Sequence, residues 1–242
     1  MEYKYCDKQN FEDLSSGRVL YGNSGIPNFP VRLINEIYRR CLSYSPKDND
    51  IRLYDCCCGG GYSLTVLGFC NQDTISTIYG SDIDDKMAAF AMKNCSLLTE
   101  KGINKRIDEL RKLYQMYQKP SHEEGIKSAL KLRESLKGNI KTVIFKADAT
   151  REISLPDTID IIICDIPYGN MVEWRGDGNA FAEMINQICR LAGKDTIIAV
   201  IMDKKQKVDD KRLKRLEKNN VGKRKFEIYA LREKQDESNA RE

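Results

Sequence analysis

Residues 164 to 169 read Cys-Asp-Ile-Pro-Tyr-Gly and follow directly on the apolar run Ile159 to Ile163. A carboxylate, a proline-flanked carbonyl and a phenol ring therefore stand together at the mouth of a buried strand. Asp165 and the carbonyl of Ile166 or Pro167 can accept hydrogen bonds from a ring or exocyclic N–H, and Tyr168 can stack on the ring that carries it. That is chemistry for a planar nitrogen heterocycle, with Asp165, Pro167 and Tyr168 as the candidate catalytic residues. Asp and Pro are common where strands end in turns, so the weight of this motif comes from what precedes it.

Upstream, Tyr54-Asp55-Cys56-Cys57-Cys58-Gly59-Gly60-Gly61-Tyr62 joins an apolar strand to a helical pattern. A glycine-rich turn there lets the backbone approach a ligand closely. The second strand ends in Gly80-Ser81-Asp82-Ile83-Asp84, where an acid can chelate the two hydroxyls of a ribose. This pair suits a dinucleotide or an S-adenosyl nucleoside, and two details favour the second. Leu64 stands where Gly-x-Gly-x-x-Gly has its third glycine. Asp55, just before the glycines, can reach the cationic amino-acid end of S-adenosylmethionine but would repel a pyrophosphate. After the third strand, Asp148 is placed to hydrogen-bond an adenine amino group. Asp55, Cys57, Gly59, Gly61, Asp82, Ile83, Asp148 and Asp165 are thus the candidate cofactor contacts. Each acid taken singly is as readily a turn or cap residue. At four strand ends, with a glycine loop among them, they form a row along the carboxyl edge, where such sheets bind ligands.

The elements that must hold this row alternate between β-branched apolar runs and helical patterns, which argues for a mostly parallel sheet with helices on both faces. Strands are expected near Ile51–Asp55, Ile75–Ser81, Lys141–Lys146, Ile159–Asp165, Thr196–Met202 and Phe226–Leu231. Helices are expected near Pro30–Leu42, Tyr62–Phe69, Asp85–Leu98, Asn179–Leu191 and Val208–Lys218. Pro30 suits a first helical turn, with Phe29 packing back on it. Residues 99 to 139 interrupt the alternation with a charged insertion in which Ile107, Leu110, Leu113, Tyr114 and Tyr117 recur at helical spacing. Ser121-His122-Glu123-Glu124 after Pro120 reads as a capping box for a second helix. A helical hairpin beside the sheet follows, a packing or lid element rather than a domain, because its apolar stripe is narrow. Residues 1–232 are read as one domain and 233–242 as a polar, disordered tail.

A length of 242 residues suits one such domain. No apolar stretch reaches the length of a membrane span, and Met1 to Asn10 is too polar for a signal peptide. Nine cysteines without a Cys-x-x-Cys pair, three of them contiguous at Cys56 to Cys58, argue for reduced thiols in a cytoplasmic protein and against a zinc site. His122, the single histidine, lies in a charged stretch and reads as solvated surface, so Ser-His-Asp catalysis has little to work with. No metal is expected. The formal charge of +4 is unevenly placed: Lys204 to Lys225 holds eleven Lys or Arg against three acids, a net of +8. A basic strip on a near-neutral body is the footprint of a polyanion partner, although a solvated helix face accounts for it about as well. Lys204, Lys205 and Lys207, past the fifth strand on the edge of the site, are the first candidates for nucleic-acid backbone contact, and Arg18 is a fourth.

These motifs together resemble the S-adenosylmethionine-dependent methyltransferases of Rossmann-like, class I fold. Nucleobase nitrogen methyltransferases carry Asp/Asn-Pro-Pro-Tyr/Phe where this chain has Asp165 to Tyr168, with Ile166 in place of the first proline. More narrowly, the chain resembles the avilamycin-resistance rRNA methyltransferase A family over nearly its whole length. The specific carriers are Asn10-Phe11-Glu12-Asp13-Leu14-Ser15-Ser16-Gly17-Arg18-Val19-Leu20-Tyr21 and Pro27-Asn28-Phe29-Pro30-Val31-Arg32-Leu33, joined by Leu64-Thr65-Val66-Leu67-Gly68 and Ile198-Ala199-Val200. The resemblance implies methylation of a guanine in 23S rRNA or the large ribosomal subunit, with N1 the expected acceptor and orthosomycin (avilamycin-type) resistance among its implied roles. One departure is expected: only one strand is legible after Met202, where the superfamily has a terminal hairpin. In this reading Tyr168 holds an unstacked base and Asp165 accepts its N–H. Asn28, Phe29 and Arg18 close over the cofactor or meet phosphate, and Met171, Val172, Glu173 and Trp174 form a target-side loop. The competing readings are an N6-adenine DNA methyltransferase, which would use the same tetrad, and a non-catalytic RNA-binding subunit with a retained cofactor fold. A nicotinamide dehydrogenase is least favoured, for the reasons given at Leu64 and Asp55.

Overall fold

In a computed structural model of the chain, which describes residues 1–22, 29–138, 140–166 and 180–232, period-two alternation builds a sheet that is apolar on both faces. Ile161 and Ile163, Ile197, Ala199 and Ile201 point to one core, and Ile162 and Cys164, Ile198, Val200 and Met202 point to the other. Such continuously apolar strands belong to a sheet covered on both sides. The strands are β1 (Ile51–Asp55), β2 (Ile75–Asp82), β3 (Lys141–Lys146), β4 (Ile161–Asp165), β5 (Ile197–Asp203), β6 (Leu213–Val221) and β7 (Arg224–Leu231). Their order is β3-β2-β1-β4-β5-β7-β6. β1 to β5 pair in parallel, and β7 runs antiparallel to both β5 and β6. The chain reverses direction across the sheet between β1 and β4, the switch point where open α/β sheets bind ligands.

Helices α1 (Val31–Tyr44), α2 (Tyr62–Cys70) and α3 (Asp85–Cys95) cover one face, and α6 (Ala180–Leu191) covers the other. Asp84 caps α3 by accepting from the Lys86 and Met87 amides, the favoured use of Asp at a helix start. The insertion is a hairpin of α4 (Glu100–Tyr117) and α5 (Pro120–Glu134). Ile103, Ile107 and Leu110 on α4 and Ala129 and Leu132 on α5 join the main core, so the narrow stripe does pack. Its second helix starts at Pro120 after Lys119, without a side-chain cap. The expected capping box therefore does not form: proline at the first helical position already has its φ set and lacks the N–H a cap would satisfy. His122 is half-buried and edge-on to Tyr117, with ring centroids 6.1 Å apart. No helix among the described residues is long and apolar enough to cross a membrane.

The end of the chain corrects the sequence reading. Val208–Lys218 is not a helix; residues from Leu213 onward form edge strand β6, and the terminal hairpin is present. The register slips between Arg215 and Glu217, a bulge that places one extra residue in the strand. Leu213 and Leu216 therefore recur at a spacing of three and imitate a helical face. Gly222-Lys223 closes the hairpin as a two-residue turn with Gly222 at φ +57°, the positive φ that such turns demand. Arg40 on α1 holds the hairpin through an ion pair with Glu217 on β6. Arg40 is held in turn by Glu36 at 2.7 Å, whose carboxylate also accepts the amides of Lys4, Tyr5 and Cys6.

Candidate active site

The carboxyl ends of β1, β2 and β4 bring Asp55, Asp82 and Asp165 together, as the row of acids requires. The first two accept amides from the turns that follow β1 and β2. The Cys57 amide donates to Asp55 Oδ1 at 2.9 Å. Asp82 accepts from Gly59 of the glycine loop at 3.0 Å and from Asp84 at 2.9 Å. The loop folds back because Gly59 and Gly61 take φ values of +50° and +72°. At Gly61 a Cβ would also lie 2.8 Å from Cα of Ala91 on α3, so only glycine lets helix and loop approach this closely. Asn94 of α3 locks the arrangement. Its amide donates to the Gly60 carbonyl at 2.8 Å, while its Oδ1 accepts the Tyr21 N–H at 2.8 Å. Tyr21 is itself gripped by Lys93 and Arg106, 3.7 and 4.4 Å from its ring centroid, and by Glu109 of α4. The amino-terminal segment and the helical hairpin thus brace the loop.

The electrostatics of this pocket are unfavourable for the protein alone. Burial, with the neighbouring carboxylates of Asp165 and Asp82, pushes the Asp55 carboxyl up to about 8. Burial likewise raises Asp82 against the amides that hydrogen-bond it. Asp165 is pushed up to about 6 by burial, which the Arg224 guanidinium opposes. Its Oδ2 meets Arg224 Nη1 at 3.2 Å, whereas its Oδ1 is enclosed with no hydrogen-bond partner among the described residues. Crowded, desolvated carboxylates with one orphaned oxygen are a site short of positive charge and of a donor. An ammonium and a sulfonium on a nucleoside would supply the charge, and a pyrophosphate would aggravate the deficit. Ile83, 37% exposed beside Asp82, offers apolar surface to a ring at the same mouth. These residues could hold S-adenosylmethionine: Asp55 and the loop its amino-acid end, Asp82 its ribose and Ile83 its base.

Other candidates are placed differently. Asp148 follows β3, and its carboxylate accepts from the Thr150 amide at 3.0 Å and hydroxyl at 2.7 Å. Those bonds and Arg151 hold it below the usual carboxylate range against the effect of burial. Both terminal nitrogens of Arg18 are engaged by carboxylates, Glu12 at 3.2 Å and Glu124 at 2.8 Å, so it ties the amino-terminal segment to α5. Lys204, Lys205 and Lys207 are exposed beyond β5 on the site's edge, with no ion pair among the described residues. Lys211 and Lys223 stand the same way, while Arg212, Arg215, Lys218 and Lys225 are paired with Asp210 or Glu227. The basic strip is thus an edge hairpin and its approach loop, with about half of its cations presented to solvent. Phe29 is buried at the start of α1, with the Arg224 guanidinium 5.5 Å from its ring centroid. Pro167, Tyr168, Asn28 and the Met171–Trp174 loop lie outside the described residues, as does the 233–242 tail. Sequence reasoning missed Asn94 and Arg224: neither sits in a motif, and Arg224 meets Asp165 across 59 positions of chain.

Comparison with known proteins gives consistent matches. The family described as rRNA methyltransferase AviRa matches residues 1–224. A protein of Streptomyces viridochromogenes named 23S rRNA (guanine(2535)-N(1))-methyltransferase is 33% identical over 222 residues, which cover 88% of each chain. The structure of rRNA methyltransferase AviRa from the same organism superposes with a TM-score of 0.84 at 32% identity, covering 93% of this chain and 94% of that one. TrmN from Thermus thermophilus shares the fold at a TM-score of 0.51 and 13% identity, over 82% of this chain and 49% of its own.

Proposed function

The chain belongs to the AviRa family of rRNA methyltransferases, and from that premise we propose that it transfers a methyl group from S-adenosylmethionine to N1 of a guanine in 23S rRNA. The observation that carries the reading is the enclosed Oδ1 of Asp165, without a partner among the described residues, beside a cluster of acids that wants a cation. When bound, S-adenosylmethionine supplies an electrophilic methyl on a sulfonium, which needs little further activation. The protein's work is then position and proton control.

Asp165, ionised, accepts the guanine N1–H through its free oxygen and draws the proton away as the nitrogen becomes nucleophilic. The end of β4 just past Asp165 is tied to β5, where the Ile166 amide donates to the Ile201 carbonyl at 3.1 Å. Pro167 and Tyr168 complete the base-binding side, Tyr168 by stacking on a guanine taken out of its helix. Asp55, Asp82 and the glycine loop fix the methyl donor, and Asp148 can offer its remaining acceptor capacity to an adenine amino group. Lys204, Lys205 and Lys207 contact RNA phosphates on the approach to the site. A ribosomal substrate places the enzyme in the cytoplasm, and resistance to avilamycin-type drugs is the associated phenotype to score.

The test is transfer of labelled methyl from S-adenosylmethionine to naked 23S rRNA, assembled large subunits and duplex DNA in parallel. Incorporation into rRNA or subunits supports the proposal. Incorporation into DNA alone would favour the adenine DNA methyltransferase, and cofactor binding without transfer to any of the three would favour a binding subunit.

A further inference from the structure

Arg224 is not in any motif, yet it connects three parts of the site. It is the first residue of β7, directly after the Gly222-Lys223 turn of the basic hairpin, and it pairs in register with Asp203 at the end of β5. From there its side chain reaches past β5 to Asp165 Oδ2 at 3.2 Å, and its guanidinium lies 5.5 Å from the ring centroid of Phe29 at the start of α1. The hairpin that carries it is held independently by Arg40 and Glu217. We propose that Arg224 is the positioning residue for the methylation: it binds one oxygen of Asp165 so that the other faces the target N–H, and it keeps that carboxylate ionised at neutral pH. The inference rests on the guanine methyltransferase reading above.

The geometry supports both parts. With Oδ2 engaged by Arg224, Oδ1 is the oxygen left to accept, and it has no partner among the described residues. Among the described residues, the charged groups that interact with Asp165 are Asp55 and Arg224. β1 presents Asp55, a second carboxylate that works against ionisation. β5 ends in Asp203, whose Oδ1 accepts the Lys205 amide at 2.9 Å. β7 presents Arg224, which opposes the upward push of burial. A guanidinium beside a carboxylate lowers its pKa by about 1–3 units, so losing it leaves partial burial and Asp55 to act alone. The position also links recognition to chemistry: RNA phosphates drawn to Lys223 and the exposed lysines before β6 would dock against the same turn that sets the catalytic carboxylate.

The test is the pH profile of kcat/KM for methyl transfer to 23S rRNA at saturating S-adenosylmethionine throughout, with R224Q and R224K compared with the wild-type chain. Cofactor affinity and the thermal midpoint are measured alongside. For R224Q the acid limb should move up by about one pH unit, so that activity at pH 5.5, normalised to each enzyme's own plateau above pH 8, falls by about eightfold relative to the wild type. R224K keeps the charge but loses the planar fork. Its limb should stay near that of the wild type while the plateau drops. An R224Q profile lowered uniformly, with the limb unmoved, would mean a merely structural residue and overturn the inference. Faster turnover in R224Q would also overturn it, since the ion pair would then be a brake. If R224Q does not fold, an R224K limb displaced by a full unit overturns the proposal, and an unmoved limb with a lowered plateau supports it. Absence of methylguanine with the wild-type chain would instead refute the parent reading.

Discussion

Asp55 should lose a proton when the methyl donor binds, and the amount follows from its environment. Burial and two neighbouring carboxylates place its pKa at about 8 in the free protein, so about nine-tenths of the population carries a proton there at pH 7 and about half at pH 8. A cationic ammonium set against this group favours the ionised form. Binding should then release close to one proton between pH 6 and 7, and affinity should rise by about tenfold per pH unit through that range. Titration calorimetry in buffers of differing ionisation enthalpy reads the release directly. Working at or below pH 7 keeps the ligand's own amino group largely protonated, because α-amino groups titrate near 7.7–8.0. D55N should abolish the release and weaken binding. The same group bears on stability. Its folded pKa lies above the ordinary aspartate value of 3.8, so the unfolded chain ionises first and the free protein loses stability as pH rises from about 4 to about 8. D55N should therefore gain in thermal midpoint over the wild type progressively across that window. Binding enthalpies independent of buffer at pH 6.5, or proton uptake, would refute the claim that Asp55 meets the cationic end of the ligand.

Three further outcomes follow from the geometry. D165A should abolish methyl transfer while leaving S-adenosylmethionine affinity within a few-fold, and full activity in that variant would sink its catalytic assignment. G61A combines a left-handed φ with a close approach to the Ala91 backbone, and should cost about 2–4 kcal/mol of stability, read as a lowered denaturation midpoint in urea. Replacing Lys204, Lys205 and Lys207 together by Gln should raise KM for rRNA and reduce the salt dependence of binding by up to about one logarithmic unit of slope per lost phosphate contact, with cofactor affinity unchanged. An unaltered salt slope would move the RNA path elsewhere.

How much of this was legible in the sequence depended on whether the signal was local. β1 to β5, the glycine loop and the acids at their strand ends were readable because each is a short periodic run closed by residues with a narrow set of uses. The helical hairpin was readable from its apolar spacing, although its narrow stripe understated how much of it joins the core. The last hairpin misled because the bulge near Leu216 broke the alternation that marks a strand. Val221-Gly222-Lys223, with its glycine at the two-residue turn, was the cue that could have corrected it. Asn94 and Arg224 could not be read at all. Their roles depend on which helix crosses the glycine loop and which strand lies beside β5, and no spacing within the sequence encodes either. The charge of the basic strip was visible, but which of its cations are spent internally on Glu227, Asp210 and Asp165 is a property of the sheet alone.

The most direct measurement on the central claim is nucleoside mass spectrometry combined with primer extension on 23S rRNA treated with the enzyme and S-adenosylmethionine, with D165A as the control. The expected products are N1-methylguanosine and a reverse-transcription stop at a single guanine, with neither from D165A. Methyl groups on adenine, on guanine N2 or on many positions, or an equal yield from D165A, would contradict that claim.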